Sequence, residues 1–588
     1  MFLKAAGRPV PIDPVTPHPY HPNVQPVISA EQMREIDRLT TRDYQTPSLL
    51  LMQAAAEACF NAIAAHFTDN LAGKKAQVLC GLGNNGGDGA ALALGLCRAG
   101  VHVDMVLFGI VADAKGDART NFEIVRRLAS FEAGSDNRPA ALSFVECGSV
   151  TAWEELAKPR RTFDVIVDAL FGTGLSRPLE GAVLQVVRHL AMMRRARERS
   201  SKRRPLIVSL DLPSGLNADL AKPIGEAVHA DLTVTFTAPK PANVLPPASR
   251  LNGKLVIANI GSPAVLIDAA NPKLFVTEEN DVREWLINTR YTPESFKNTH
   301  GHALVIAGSR GYTGAAVLCG NAAIRAGAGL VTIATPASAQ TAVAASVMPE
   351  VMTTALAETD RGAVSDEAID HVTQLAAKAA VIAMGPGLSA EDERTRRFVF
   401  SVVKQRQTPL VIDADALNCL ANYSSRGWPA ELRGSDHLDE APLVLTPHPG
   451  EMMRLLGTSD KAALDDRVAV ARNFATQHKL ILVLKGTRSL VAAPDGRVFI
   501  NPTGNAGLGT AGAGDTLTGI IAGFIAQAVA TLKESSDALS ATIAALYLGG
   551  LAGDFAARDL GMRSMTASDI REHLSEAIRS LDPKGEQP

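Results

Sequence analysis

The sequence predicts an α/β protein of two domains, each built on a mostly parallel sheet. Three observations predict it. Short apolar runs repeatedly end in a polar, glycine-rich loop that leads into a helix-like stretch. Glycine is abundant, at 48 residues, and aromatics are only 5%, which suits glycine-rich ligand loops better than an aromatic-rich β-sandwich. The chain has 588 residues, 46% of them hydrophobic. It can bury a large core, so it is neither a disulfide-stapled miniprotein nor a disordered chain. Its 58 basic against 61 acidic side chains, a net charge of -3, argue against a globally basic nucleic-acid binder.

Residues 1–27 carry Pro9, Pro11, Pro14, Pro17, Pro19, Pro22 and Pro26 and no apolar core, and are expected to be a disordered, extended tail without a signal peptide. Order is expected from Ile28. Ser29 is an N-cap with Gln32 at the capping-box position, ahead of an amphipathic helix through Met33, Ile36, Asp37 and Leu39. A second helix follows over 49–67. The run 76–80 is a buried strand that feeds Gly81-Leu82-Gly83-Asn84-Asn85-Gly86-Gly87-Asp88-Gly89, with a helix over 90–99 and a strand over 101–108. The strand 163–168 ends in Asp168 and leads to Phe171-Gly172-Thr173-Gly174. The strand 206–210 runs into Asp211 and leads to Leu212-Pro213-Ser214-Gly215. Ligands bind at the carboxyl edge of parallel sheets, so these three loops predict one shared site.

The pattern weakens over 261–292, and the boundary is placed at 269–273. This gives domains of 28–268 and 274–583. The grammar then resumes. The strand 303–307 precedes Gly308-Ser309-Arg310-Gly311 and a helix over 315–326. The strand 379–384 precedes Gly385-Pro386-Gly387. The strand 410–412 precedes Asp413-Ala414-Asp415. The strand 443–445 precedes Thr446-Pro447-His448-Pro449-Gly450-Glu451, and 480–484 precedes Lys485-Gly486-Thr487. The stretch 517–532 is apolar but interrupted by Thr518, Gly519, Gly523 and Gln527. It is shorter than a bilayer span and is expected to be a buried helix, so no membrane partner is expected. Six scattered cysteines with no Cys-x-x-Cys pair are expected to be buried thiols of a cytoplasmic protein. The basic run 194–204 contains Glu198 and two serines and no aromatics, which suits a solvated helix end or loop.

Three features carry chemistry. The glycines of 84–89 let backbone amides approach an anion at a helix start, a diphosphate cradle in physical terms. The full dinucleotide-binding fingerprint is not met, because no acidic residue sits cleanly after the next strand, and a plain tight turn is the alternative. Asn85, Asp168 and Ser214 offer oxygen ligands of low total charge, which suit a hard monovalent cation better than zinc. Spacing alone balances that reading evenly against helix capping. In the run 501–516, the amides of Gly512 to Gly514 form an anion hole for a transferring phosphoryl group, and Asp515 is a general base for the attacking hydroxyl. The alternative is a loop whose aspartate caps a helix at Leu517. Lys485 and His448 are weak signals alone.

Taken together, these loops resemble the bifunctional NAD(P)H-hydrate repair enzymes over residues 28–581. The amino half resembles the NAD(P)H-hydrate epimerase through Asn84–Gly89, the run 167–174 and Asp211-Leu212-Pro213-Ser214-Gly215. The carboxyl half resembles the ADP-dependent (S)-NAD(P)H-hydrate dehydratase through Gly385-Pro386-Gly387, Asp413-Ala414-Asp415-Ala416-Leu417-Asn418, the His448 loop, Lys485-Gly486-Thr487 and Gly512-Ala513-Gly514-Asp515. The resemblance implies a Rossmann-like three-layer αβα epimerase domain and a ribokinase-like αβα dehydratase domain. It implies that the first interconverts R and S hydrates, which carry a hydroxyl at C6 of the nicotinamide ring. It also implies that the second dehydrates the S form, by phosphorylating that hydroxyl and eliminating phosphate.

The resemblance further implies that Asn84, Asn85, Gly86, Gly87 and Asp88, with Gly172, Thr173, Gly174, Leu175, Ser176, Arg177 and Pro178, hold the hydrate. Asn85, Asp168 and Ser214 would hold potassium, and Asp211 would be the epimerase acid/base. Ala315, Gly387, His448 and Asp515 would contact the hydrate in the second domain. Lys485, Gly486, Thr487, Arg488, Ser489 and Gly514 would bind ADP, with ATP as the alternative donor and Mg2+ accompanying it. A homo-oligomer is expected on the same ground. Two departures stand out. Phe296-Lys297 replaces the family's His-Lys pair, and alanines occupy positions of the last loop where the family shows Gly or Ser. The competing reading is a ribokinase-like small-molecule kinase fused to a non-catalytic nucleotide-binding module, since kinases of that fold share the Gly-Ala-Gly-Asp loop.

Overall fold

The computed structural model describes residues 24–133, 141–158, 162–198, 204–423, 427–429, 431–432, 441–532 and 538–582. The expected tail up to residue 23, residues 199–203 of the basic run and residue 583 of the second domain lie outside the described residues.

Seven strands form one sheet, in the order Leu142–Glu146, His102–Leu107, Lys75–Cys80, Val165–Ala169, Leu206–Leu210, Leu232–Phe236 and Lys254–Ala258. Every pairing is parallel. The central strands Val165–Ala169 and Leu206–Leu210 are buried along their whole length, which is why they are continuous apolar runs rather than alternating ones. Side chains alternate between two cores. Val78 and Cys80 pack under helices Ser48–His66, Asn84–Arg98 and Gly116–Ala133. Leu79 and Ile166 pack under Val150–Ala157 and Gly181–Glu198. The last of these helices carries Arg194, which pairs with Asp231 at 3.4 Å.

Eleven strands form the second sheet. Six run parallel side by side: Val351–Leu356, Leu330–Pro336, His302–Ile306, Val381–Met384, Leu410–Ile412 and Leu443–Leu445. Ile481–Leu484 extends them and turns into the antiparallel strands Leu490–Ala492 and Val498–Ile500. Helices Thr313–Arg325, Ala513–Leu532 and Ala538–Leu560 cover one face, and Glu393–Gln405 and Arg467–His478 cover the other. Gly519 and Gly523 permit the close crossing of two of these helices. A Cβ on them would lie 2.1 Å from the Cys319 carbonyl oxygen and 2.6 Å from that of Ala323.

Ser48–His66, Ala513–Leu532 and Ala538–Leu560 are long and apolar enough to cross a membrane, by length and composition alone. The helix expected over 517–532 is therefore longer than expected. It begins at Ala513 and has 20 residues, and its apolar character is explained by burial against the sheet.

The expected tail also ends sooner than residue 27. Gln25–Val27 is a strand, paired antiparallel with Leu274–Val276 at the edge of the second sheet. Pro26 is tolerated because an edge strand needs ladder hydrogen bonds on one side only. Val27 enters the second domain's core, and its neighbour Ile28 enters a first-domain cluster with Met33 and Ile36. The Ser29/Gln32 capping box forms as the sequence predicts. Leu245 of the first domain is buried in the second domain's core, and Lys222 pairs with Asp465 at 2.5 Å. The two domains are thus stitched together at several points.

Candidate active sites

In the first domain the glycine-rich stretch is not a loop. The helix starts at Asn84, six residues earlier than expected, with Gly83 as its N-cap. Its glycines are explained by packing. A Cβ on Gly86 would lie 1.8 Å from the Gly81 carbonyl oxygen, and one on Gly89 would lie 2.6 Å from the Ala169 Cβ. What this stretch offers to an anion is therefore a helix N-terminus, whose first amides have no intrahelical partner.

Asn85 is the most informative residue here, because both polar atoms of its side chain are buried without a partner. A Cβ on Gly172 would sit 3.4 Å from its Oδ1 and 3.3 Å from Asp211 Oδ2, so the three loops do converge. Asp168 is fully buried. Its oxygens accept from Ser209 Oγ at 2.8 Å, Ser214 N at 2.9 Å and Ser214 Oγ at 2.5 Å. Burial pushes its carboxyl up despite these bonds, and among the described residues no basic group offsets it. A buried carboxylate without a basic partner, an orphaned amide oxygen and a hydroxyl fit a monovalent cation.

Asp211 adopts φ +62, a left-handed conformation that turns its side chain off the strand end. Its Oδ1 accepts from Lys240 Nζ at 2.6 Å and Thr235 Oγ1 at 3.0 Å. Lys240 also donates to the Phe236 carbonyl at 3.0 Å. Burial, then the nearby Asp211 and Asp37, pushes the Asp88 carboxyl well above its ordinary range. Burial also pushes Asp37 up to about 6. Sequence reasoning missed Lys240 and gave Asp37 no role at the site. The signal for Lys240 is the same as for Lys485, a lysine after a strand, but the strand Leu232–Phe236 mixes threonines with its apolar residues and gives no unbroken apolar run.

Of the stretch 172–178, Leu175 departs from expectation. Its side chain is buried in the core with Leu170 and Leu179, so only its backbone is available, and Asn217 Nδ2 holds its carbonyl at 3.0 Å. Gly172 and Thr173 are half-buried, and Gly174, Ser176, Arg177 and Pro178 are exposed.

In the second domain, Ala315 and Gly387 adjoin: a Cβ on Gly387 would lie 3.0 Å from that of Ala315. His448 caps the helix Pro449–Leu455. Its Nδ1 accepts from the Gly450 amide at 3.0 Å, so the ring proton sits on Nε2. Burial and the neighbouring cations hold its pKa below the usual histidine range. Lys485 Nζ donates to Asp413 Oδ1 at 2.6 Å and lies 3.9 Å from Glu451 Oε2. Burial opposes its charge, but Asp413, Glu451 and Asp515 outweigh it and hold the ammonium firmly protonated. A Cβ on Gly514 would lie 3.4 Å from this ammonium. Asp415 instead accepts from the Ser389 amide at 3.0 Å.

Asp515 lies in the first turn of Ala513–Leu532 and is not a cap at Leu517. Burial and the Asp413 charge push it up to about 7. Glu451 is likewise pushed up to about 7, first by burial. Asp413 and Glu451 are the residues that the sequence motifs contained without a role. The loop 485–489 is held from behind. Arg467 donates to the carbonyls of Thr487 at 2.8 Å and Leu484 at 3.1 Å, and Ser489 Oγ donates to Gly486 O at 3.1 Å. A cavity of about 650 Å³ opens beside it, lined by Lys485, Gly486, Thr487, Arg488 and Ser489, by Asn501 to Ala506, and by Ala513 and Gly514. Phe296, the departure from the resembled pattern, is exposed.

Two family models match the chain. The model described as YjeF-related protein N-terminus covers residues 48–242, and the one described as NAD(P)H-hydrate dehydratase covers residues 303–576. The bifunctional NAD(P)H-hydrate repair enzyme Nnr of Moorella thermoacetica is 38% identical over 95% of this chain and 98% of its own length. The enzyme of the same name from Thermofilum pendens is 34% identical, covering 94% of this chain and 96% of its own. A solved ADP/ATP-dependent NAD(P)H-hydrate dehydratase of Bacillus subtilis is 30% identical, with a TM-score of 0.43, over 52% of this chain and 98% of its own.

Proposed function

The chain belongs to the bifunctional NAD(P)H-hydrate repair enzymes, and from this membership we propose how its residues divide the work. The protein is an NAD(P)H-hydrate epimerase and NAD(P)H-hydrate dehydratase in one chain. The single observation that carries the residue assignments is the convergence of polar loops at each sheet's carboxyl edge, around Asp211 in one domain and Asp515 in the other.

Residues 28–268 perform epimerisation. The hydrate lies against the helix N-terminus Asn84 to Asp88 and the loop 172–178. Asp211 moves a proton at the altered ring through Oδ2, since Oδ1 is tied to Lys240. Asn85, Asp168 and Ser214 hold potassium, which supplies fixed positive charge for an anionic substrate when bound. Damaged NADH and NADPH are both substrates by their shared nicotinamide hydrate.

Residues 274–583 perform dehydration with ADP as phosphoryl donor. The loop 485–489 and Gly514 bind the nucleotide and its Mg2+, and Ala315, Gly387, His448 and Asp515 face the hydrate. Asp515 takes the proton of the C6 hydroxyl, whose oxygen then bonds to the terminal phosphorus as AMP leaves. Phosphate departs next from C6, a far better leaving group than hydroxide. Loss of the C5 proton completes the ring double bond. The amides at the start of Ala513–Leu532 stabilise the transferring group.

Assembly with identical chains and a cytoplasmic setting belong to the same proposal. Ile124, Leu128 and Phe131 form an exposed apolar stripe at helical spacing that suits self-association.

The test is incubation of the purified protein with mixed R and S hydrates and ADP. Complete consumption of both forms, with AMP and phosphate released in equal amounts, is the expected result. Accumulation of a stable phosphorylated product would favour a small-molecule kinase instead.

A further inference from the structure

The cavity beside the nucleotide loop has one wall residue from the other domain. Arg250 lines it together with Lys485 to Ser489 and Asn501 to Ala506. Arg250 belongs to the short helical turn Ala248–Leu251 of the first domain. Ala248 and Leu251 are buried there in a cluster with Leu212 and Leu216, beside the Asp211 loop. The turn is therefore anchored in the first domain while its arginine points into the second domain's cavity. The same segment is pinned at the junction by Leu245, which is buried in the second domain's core.

Charge gives this arrangement a meaning. Among the described residues the cavity is lined by three basic side chains, Arg250, Lys485 and Arg488, and by no acidic one. Lys485 is already committed to Asp413, and Arg488 donates to the Pro502 carbonyl at 2.7 Å. Arg250 is exposed, and among the described residues its guanidinium has no ion pair. An uncommitted guanidinium, whose planar fork matches two oxygens of one phosphate, selects for a multiply charged oxyanion in such a cavity.

We infer that Arg250 is a nucleotide-binding residue contributed by the epimerase domain, pairing with the phosphates of the nucleotide that the dehydratase consumes. The dehydratase site is then composite, complete only when the first domain is docked. This rests on the reading of the cavity as the nucleotide site.

The test is calorimetric titration of the full-length protein with ADP and, separately, with adenosine. Arg250→Ala is expected to weaken ADP about tenfold and adenosine far less, with Arg250→Lys intermediate. The KM for ADP should rise while kcat, the KM for S hydrate and the epimerase rate stay at wild-type values. The ADP deficit should shrink as salt is raised. An ADP affinity within twofold of wild type would overturn the inference, as would an equal loss for adenosine. Lys485→Gln separates the two levels. If it leaves ADP affinity untouched, the nucleotide reading of the cavity falls, and the inference with it. If it weakens ADP and Arg250→Ala does not, only the role of Arg250 is lost.

Discussion

Lys240 Nζ stands 2.6 Å from Asp211 Oδ1, and the lysine side chain is only 1% exposed. The ammonium claims one carboxylate oxygen and leaves the other toward Gly172 and Asn85. Asp211 is thus oriented as well as paired.

Removing Lys240 is expected to strand a buried carboxylate. Lys240→Met should cost about 3 kcal/mol of stability, because breaking one side of a buried pair leaves an uncompensated charge. Epimerisation should fall about a hundredfold, and Asp211→Asn should abolish it without slowing dehydration of pure S hydrate. Denaturant melts and separate assays of R-to-S conversion and NAD(P)H formation check both. Normal epimerisation by either variant would remove that residue from the proposed chemistry.

Asp515→Asn is expected to slow dehydration by about 10² to 10⁴, the usual contribution of a positioned base. R and S forms should still equilibrate. Chiral separation of the hydrates alongside NAD(P)H absorbance reads the two activities independently.

Dehydration should depend on pH through Asp515, whose carboxyl is pushed up to about 7. A base must be ionised, so kcat/KM for S hydrate should rise with pH up to about 7 and level off above it. Below that it should fall about tenfold per unit. Glu451, also at about 7, steepens the acid limb if it too must be ionised. A flat profile from pH 5.5 to 8 would exclude Asp515 as the base.

The glycines at the start of Asn84–Arg98 should not be equivalent. Gly86→Ala drives a Cβ to 1.8 Å from the Gly81 carbonyl oxygen and is expected to destabilise by about 3 kcal/mol or more. Gly83 has open space around its Cβ position and φ -86, so Gly83→Ala should cost less than about 1 kcal/mol. Thermal unfolding of the two variants makes the comparison.

Replacing K+ by Li+ should slow epimerisation about tenfold and leave dehydration of S hydrate unchanged, if Asn85, Asp168 and Ser214 hold the cation. Asp168→Asn should show the slower rate in either salt.

The sequence made the strand-end grammar legible because parallel strands buried on both faces are unbroken apolar runs. Asp168, Asp211, Lys485 and the loop before Asp515 were readable that way. What escaped has physical causes. The strand Leu232–Phe236 alternates threonine with apolar residues, so Lys240 after it carried no strand signal. Glycines at 84–89 looked like a loop, whereas tight helix packing demanded them. Leu175 sat inside a ligand-like stretch and turned into the core. Arg250 could not be read at all, since only tertiary docking brings it to a cavity 235 residues away at Lys485.

Because Gln25–Val27 borders the sheet to which Leu274–Val276 belongs, the chain leaves from and returns to the same seam. A single protease nick at 270–273 would not release two finished pieces. The amino fragment would stay hydrogen-bonded to its partner, and a recombinant second half begun at residue 274 would expose a raw strand flank prone to clumping.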